Sequence, residues 1–356
     1  MLATLIPFTI GLFALIAGAR ALVRGASKLA LSFGVSPLVI GLTIVAMGTS
    51  APEVAVSVGA ALDGRTDLAV GNVVGSNTFN VLFILGLSAL IAPLVVNAQL
   101  IRQEVPIMIG ASLLLILLAA DGRLGMLESV VLLALLLAYT VFLIVQSRRE
   151  TAATRDEYAE ALPPDRAWDR HWSVQVLLVL AGLALLVFGA KWLVDAAVAF
   201  ARAAGVSELV IALTIVAAGT SMPEVATSVT AALKGERDIA VGNVVGSNVF
   251  NILGCLGASG LVGGGLPVPA AALAFDLWVM LAAAFACLPV FLTGREIARW
   301  EGGLFIGYYF AYTAFLVLAA RHHQVLPSFS AAMLPFVLPL TIVTLLVSLL
   351  RTQRAG

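Results

Sequence analysis

Apolar residues run along the chain in blocks of about twenty, broken by short polar turns such as Asp63 to Asp67 and Asp121 to Arg123. A helix needs that length to cover roughly 30 Å of hydrocarbon with its backbone bonds satisfied internally. About eleven blocks are present, centred near residues 14, 48, 80, 112, 136, 184, 219, 251, 280, 310 and 340, and they predict an all-α integral membrane protein. One long polar segment, Arg148 to Trp172, carries eleven charged residues, Pro163 and Pro164, and no apolar period. It reads as a solvated linker. The expected organisation is a five-helix half over 1–147, a linker over 148–172, a second five-helix half over 173–322, and one extra C-terminal transmembrane helix with a tail over 323–356. Leu5 to Leu22 begins like a signal peptide, but no basic stretch precedes it and Arg20 interrupts it, so it is read as the first retained helix.

Composition agrees with the blocks. Apolar residues make up 61% of the chain and charged residues 11%, a balance that suits a bilayer and excludes a water-soluble domain. A formal net charge of zero gives no sign of a nucleic-acid partner. Cys255 and Cys287 both lie in apolar runs and are expected to be inert buried thiols. Placing the linker inside puts Arg102, Lys234, Arg237, Arg295, Arg299, Arg351 and Arg354 on the same side, which predicts an outside N terminus and a cytoplasmic C terminus.

The chain repeats itself. Residues 35–82 realign with 206–253 at a constant offset of 171, with 36 of 48 positions identical. Each half begins with five crossings, an odd number. The second copy therefore enters the membrane from the opposite face, the inverted-topology repeat of secondary transporters, with a site at the repeat interface.

Each copy carries Gly-Thr-Ser-x-Pro-Glu inside an apolar block: Gly48, Thr49, Ser50, Pro52 and Glu53, then Gly219, Thr220, Ser221, Pro223 and Glu224. Proline removes a backbone donor and glycine permits irregular dihedrals, so carbonyls near Ala46 and Ala217 are expected to be freed for cations. The next block repeats Gly-Asn-Val-Val-Gly-Ser-Asn-x-Phe-Asn, placing Ser76 with Asn80 and Ser247 with Asn251 at i, i+4 on one helix face. Asn72, Asn77, Asn243 and Asn248 suit either the site or interhelical packing. Glycines 71, 75, 242 and 246 form small faces for close helix approach. An acid at mid-membrane costs roughly 3 kcal/mol to insert, and a duplicated acid points to function. Two carboxylates with neutral oxygens suit sodium or calcium rather than a soft metal. Asp276 lies in the ninth block without a repeat partner, Arg20 and Lys191 read as interfacial charges, and the His322–His323 pair is a weak metal signal.

These motifs resemble the alpha repeats of the calcium/cation antiporter superfamily, in its sodium/calcium exchanger branch of prokaryotic type. The likeness spans both repeats. It implies an antiporter that exchanges sodium for calcium by alternating access, with no cofactor and no protein partner, in a prokaryotic cell inner membrane. It implies calcium binding by Glu53, Glu224, Thr49 and Thr220, with Ser50, Ser76, Ser221, Ser247, Ala46 and Ala217 completing sodium sites. Asn80 and Asn251 join the ligand set. Some relatives, notably potassium-dependent ones, carry aspartate where Asn251 stands, which argues against potassium cotransport. Proton/calcium exchange, or exchange of another divalent cation, is the alternative. An enzyme is disfavoured because no nucleophile, base and acid cluster repeats, and broken helices in inverted duplicate favour a carrier over a channel.

Overall fold

The computed structural model describes residues 2–147, 171–203, 217–320, 324–333 and Ile342. The linker over 148–170, the start of the second repeat over 204–216, His322 and His323, and most of the expected last crossing lie outside the described residues. Helices account for the architecture: α1 (Leu2–Phe33), α2 (Pro37–Thr49), α3 (Ala51–Leu62), α4 (Thr66–Ile91), α5 (Leu100–Leu118) and α6 (Met126–Ser147) in the first half. The second half holds α7 (Trp172–Ala203), the short α8 (Ala217–Gly219), α9 (Met222–Leu233), α10 (Arg237–Val262), α11 (Ala272–Leu292), α12 (Arg299–Ala320) and α13 (Leu326–Ala332). Among the described residues eight helices are long and apolar enough to cross a membrane, or nine if the bent pair α2 and α3 is one span. The block expected near 219 is represented by α8 and α9, and the block near 340 is outside the described region.

Local chemistry sets the breaks. Gly34, at φ 62, ends α1, and Ser36 caps α2 by accepting from the Val39 N–H at 3.4 Å with Pro37 in the first turn. Proline 52 stands in the first turn of α3 rather than mid-helix, so its missing N–H costs no bond there. The chain bends by 46° between α2 and α3 at Ser50. Wider π-helical turns occupy 41–45, 80–85, 100–104, 251–256 and 272–276.

Two features relate the halves. Helices α1 and α7, equivalent by the 171 offset, cross antiparallel and backbone to backbone. A Cβ at Gly18 would lie 2.8 Å from the Gly182 carbonyl oxygen, and one at Gly11 would lie 2.8 Å from that of Gly189. Two short strand pairs then join loops across the halves. β1 (Leu94–Val95) pairs antiparallel with β4 (Glu296–Ile297), and β2 (Arg123–Leu124) with β3 (Leu266–Pro267). The ends of α4 and α11 therefore share one face of the molecule, and those of α5 and α10 share the other, as helix alternation requires. Helices α4 and α10 sit at the centre while α12 lies on the perimeter, and large apolar side chains such as Leu117, Leu127 and Leu137 point outward where lipid would surround the bundle.

Candidate cation site

The two breaks meet at the centre of the bundle. Glu53 and Glu224 occupy the first turns of α3 and α9, where the partial positive charge of a helix N-terminus favours an anion. Both are fully buried, as are Thr49, Ser50, Ser221, Ser247, Asn80 and Asn251, with Ser76 at 1% exposure.

The carboxylates are held chiefly by the opposite repeat. Ser221 Oγ donates to Glu53 Oε1 at 2.8 Å, and Ser50 Oγ donates to Glu224 Oε1 at 2.9 Å. Ser76 Oγ adds a longer bond to Glu53 Oε1 at 3.4 Å and stands 3.2 Å from Ser221 Oγ. The threonines also reach across. Thr49 donates to Asn243 Oδ1 at 3.1 Å, and Thr220 to Asn72 Oδ1 at 3.4 Å. The two asparagines are in turn fixed by Ser228 and Ser57, each accepting from an amide at 2.9 Å. Sequence spacing left the roles of Asn72 and Asn243 open, and nothing in it singled out Ser57 or Ser228; their signal was repetition at the 171 offset, since 57 has Ser228 as its counterpart.

A third layer closes the centre. Asn80 Nδ2 donates to Asn248 Oδ1 at 3.0 Å, and Asn251 Nδ2 donates to Asn77 Oδ1 at 3.1 Å. The Asn77 amide also reaches the Asn248 carbonyl at 3.1 Å, and the Asn248 amide reaches the Asn77 carbonyl at 3.4 Å. Asn77 and Asn248 thus use their side chains to join the repeats. The Ala46 carbonyl accepts from the Ser50 N–H at 3.0 Å and from the Thr49 hydroxyl at 3.3 Å, which occupies both of its lone pairs. Ala217 is helical.

Four buried oxygens at this centre have no hydrogen-bond partner: Glu53 Oε2, Glu224 Oε2, Asn80 Oδ1 and Ser247 Oγ. A buried unsatisfied acceptor costs about 1–3 kcal/mol, more when charged. A hard cation satisfies such oxygens without needing a proton on any of them. With two carboxylates and the rest neutral oxygens, the set matches sodium or calcium in chemistry. Among the described residues no group of three or more His, Cys, Asp and Glu side chains forms a separate metal cluster.

Cys255 borders this centre, its thiol donating to Asn251 Oδ1 at 3.4 Å, while Cys287 and the remaining charges lie apart from it. Cys255 and Cys287 are free and buried; Lys191 pairs with Asp195 at 3.1 Å on an exposed surface. Asp276 accepts from Tyr312 Oη at 2.8 Å and makes no bond to the glutamates. It does have a counterpart in the first half, Glu104, which accepts from Tyr139 Oη at 2.7 Å. The offset there is 172 rather than 171, because one more residue separates α10 from β3 than separates α4 from β1.

Known proteins resemble the chain over nearly this whole bundle. The family profile described as sodium/calcium exchanger protein matches residues 4–145 and 174–318. The putative antiporter CaxA of Alkalimonas amylolytica is 43% identical, covering 86% of this chain and 98% of that protein. The sodium/calcium exchanger MaX1 of Methanosarcina acetivorans is 33% identical, over 86% of this chain and 96% of its own length. A solved structure of the sodium-calcium exchanger NCX_Mj, soaked with sodium and calcium, superposes with a TM-score of 0.75 at 29% identity, covering 88% of this chain and 98% of that one. The paired, buried and cross-linked glutamates therefore sit in a chain that belongs to the sodium/calcium exchanger protein family of membrane cation antiporters.

Proposed function

We infer that the chain exchanges sodium for calcium by alternating access at this centre. The observation that carries the reading is reciprocity: each buried glutamate receives its hydroxyl from the opposite repeat and keeps one oxygen without a partner. Calcium neutralises both carboxylates, and so do two sodium ions, which makes the two cargoes alternatives at one site. The proposed ligands are Glu53, Glu224, Thr49 and Thr220 for calcium, with Ser50, Ser76, Ser221, Ser247, Asn80, Asn251 and the carbonyls of Ala46 and Ala217 for sodium. At Ala46 a cation would displace the Thr49 hydroxyl. The names of MaX1 and NCX_Mj agree with sodium and calcium as cargo.

The halves are proposed to be inverted repeats of five crossings, supported by the antiparallel crossing of α1 and α7 and by the exchange of strand partners between the halves. An eleventh helix, a linker over 148–172, an outside N terminus and a cytoplasmic C terminus in a prokaryotic inner membrane complete the proposal. The glycine-to-backbone seam is closed near its ends by a Phe8–Phe200 ring contact and a bond from Ser32 Oγ to Gln175 Oε1 at 2.7 Å, which suits a pair that slides together past the site. The test is calcium uptake into proteoliposomes under an outward sodium gradient, beside the same vesicles under a proton gradient. Uptake driven by sodium and not by protons is the expected result. Uptake driven by protons alone replaces sodium as the coupling ion.

A further inference from the structure

The repeat extends beyond the segment the sequence displays. Allowing for one extra residue ahead of β3 and another ahead of β4, Glu104 corresponds to Asp276, Met108 to Met280 and Tyr139 to Tyr312, with Ala-Tyr-Thr-x-Phe-Leu at both 138–143 and 311–316. Each carboxylate closes a π-helical turn, over 100–104 and 272–276. Each accepts a short bond from a tyrosine on the next helix in the same arrangement, at 2.7 Å from Tyr139 and 2.8 Å from Tyr312. Glu104 is fully buried and also receives the amides of Gln99, at 2.9 Å, and Gln103. Its two oxygens therefore accept three donors, a network that fixes the register of α5 on α6.

One helical turn further on, the same face meets the cation centre. Met108 Sδ accepts from Asn248 Nδ2 at 3.4 Å, and Met280 Sδ accepts from Asn77 Nδ2 at 3.7 Å. Those two asparagines are the ones that hold Asn80 at 3.0 Å and Asn251 at 3.1 Å. Two equivalent lines result: Tyr139, Glu104, Met108, Asn248, Asn80, and Tyr312, Asp276, Met280, Asn77, Asn251. A thioether is a weak, flexible acceptor, so its place against the asparagine depends on the helix that carries it.

We propose that Glu104 with Tyr139, and Asp276 with Tyr312, are positioning pairs that set Asn80 and Asn251 for cation binding through Met108 and Met280. The proposal rests on the assignment of Asn80 and Asn251 to the cation site. The pairs touch no cation. They fix the angle at which each asparagine oxygen meets the site, so their loss changes affinity before it changes turnover.

The experiment is a double-mutant cycle on Tyr139→Phe and Met108→Leu, reading KM and kcat for calcium uptake in proteoliposomes, with the melting temperature of each variant in detergent as a fold check. Each single variant is expected to raise KM about fivefold with kcat within twofold, and the double variant to be no worse than either single. Glu104→Asp, which keeps the charge, is expected to recover part of the affinity that Glu104→Gln loses. An unchanged KM in folded Tyr139→Phe, or effects that multiply in the double variant, overturns the proposal. The equivalent cycle on Tyr312→Phe and Met280→Leu supplies the same readout if a first-half variant does not fold. Asn80→Ala separates the two levels: an unchanged KM there removes Asn80 from the site, whereas a raised KM with an insensitive cycle leaves the site intact and removes only the positioning pairs.

Discussion

Gly246→Ala probes how closely α10 must approach α2 for the site to form. A Cβ at 246 would lie 2.5 Å from the Leu42 carbonyl oxygen, 2.7 Å from the Leu42 Cα and 2.9 Å from the Ala46 methyl. Two of these are backbone atoms with no rotamer through which to escape. Restoring ordinary contact requires the helices to part by about 1 Å. Thr49 rides on α2 and now donates to Asn243 on α10 at 3.1 Å; at about 4 Å that bond no longer exists. The overpacking itself costs about 1–3 kcal/mol of stability, and the lost bond about 1 kcal/mol. If the second figure appears wholly as binding, calcium affinity falls roughly fivefold. Purified Gly246→Ala should therefore melt lower and show a raised KM in vesicle uptake. Gly110→Ala is the control, since among the described residues nothing lies within 4 Å of its added Cβ. Parent-like KM and melting temperature in Gly246→Ala would refute the close-approach account.

Three further outcomes follow from particular contacts. Gly182→Ala places a Cβ 2.6 Å from the Leu22 backbone nitrogen, so it should slow exchange by disturbing the α1–α7 seam; turnover equal to the parent in vesicles contradicts a backbone-to-backbone crossing. Cys255 and Cys287 are 0% exposed, and a membrane-permeant maleimide should label neither until denaturant is added, which mass spectrometry detects. Glu236, in the turn between α9 and α10, has its carboxyl pushed up to about 7 by burial, against the opposing pull of the Ser27 hydroxyl, Lys234 and Lys28. A raised acid stabilises the native state fully below its ordinary value of 4.5, and that contribution is lost as pH rises through about 7. Glu236→Gln should therefore be more stable than the parent at pH 8 by about 1–3 kcal/mol, seen as a higher melting temperature, and alike near pH 4; equal melting at pH 8 contradicts it.

Much of the site is written in the chain because duplication marks it. Gly-Thr-Ser-x-Pro-Glu and Gly-Asn-Val-Val-Gly-Ser-Asn-x-Phe-Asn each occur twice, and the residues they single out meet at one buried centre. Gly242 and Gly246 also act as their spacing suggests, since a Cβ at either would crowd Leu38 or Leu42 of α2. Partnership was harder to read. Spacing along one helix pairs Ser76 with Asn80, but the shortest bonds to Glu53 and Glu224 come from Ser221 and Ser50, and only three-dimensional closure brings opposite repeats together. The proline suggested a break inside a helix, whereas Pro52 begins α3 and the preceding carbonyl at Ala46 remains bonded. Asp276 looked solitary because the extra residue ahead of β3 moves its counterpart out of the 171 register. Outside the two motifs, α5 and α6 have diverged from α11 and α12 until a few positions, among them a carboxylate, a methionine and a tyrosine, carry the likeness.

The central claim is that Glu53 and Glu224 hold the transported cation together. Its most direct measurement is sodium-gradient-driven calcium uptake by Glu53→Gln and Glu224→Gln in proteoliposomes, beside calcium binding to the same purified proteins by calorimetry. Glutamine keeps the shape and an acceptor oxygen but removes the charge, so a fully buried site loses about 2 kcal/mol or more of attraction for a divalent ion, roughly thirtyfold in affinity. The account predicts that each variant folds, binds calcium at least that much more weakly and does not drive uptake. Parent-like binding and sodium-driven uptake in either variant would contradict it.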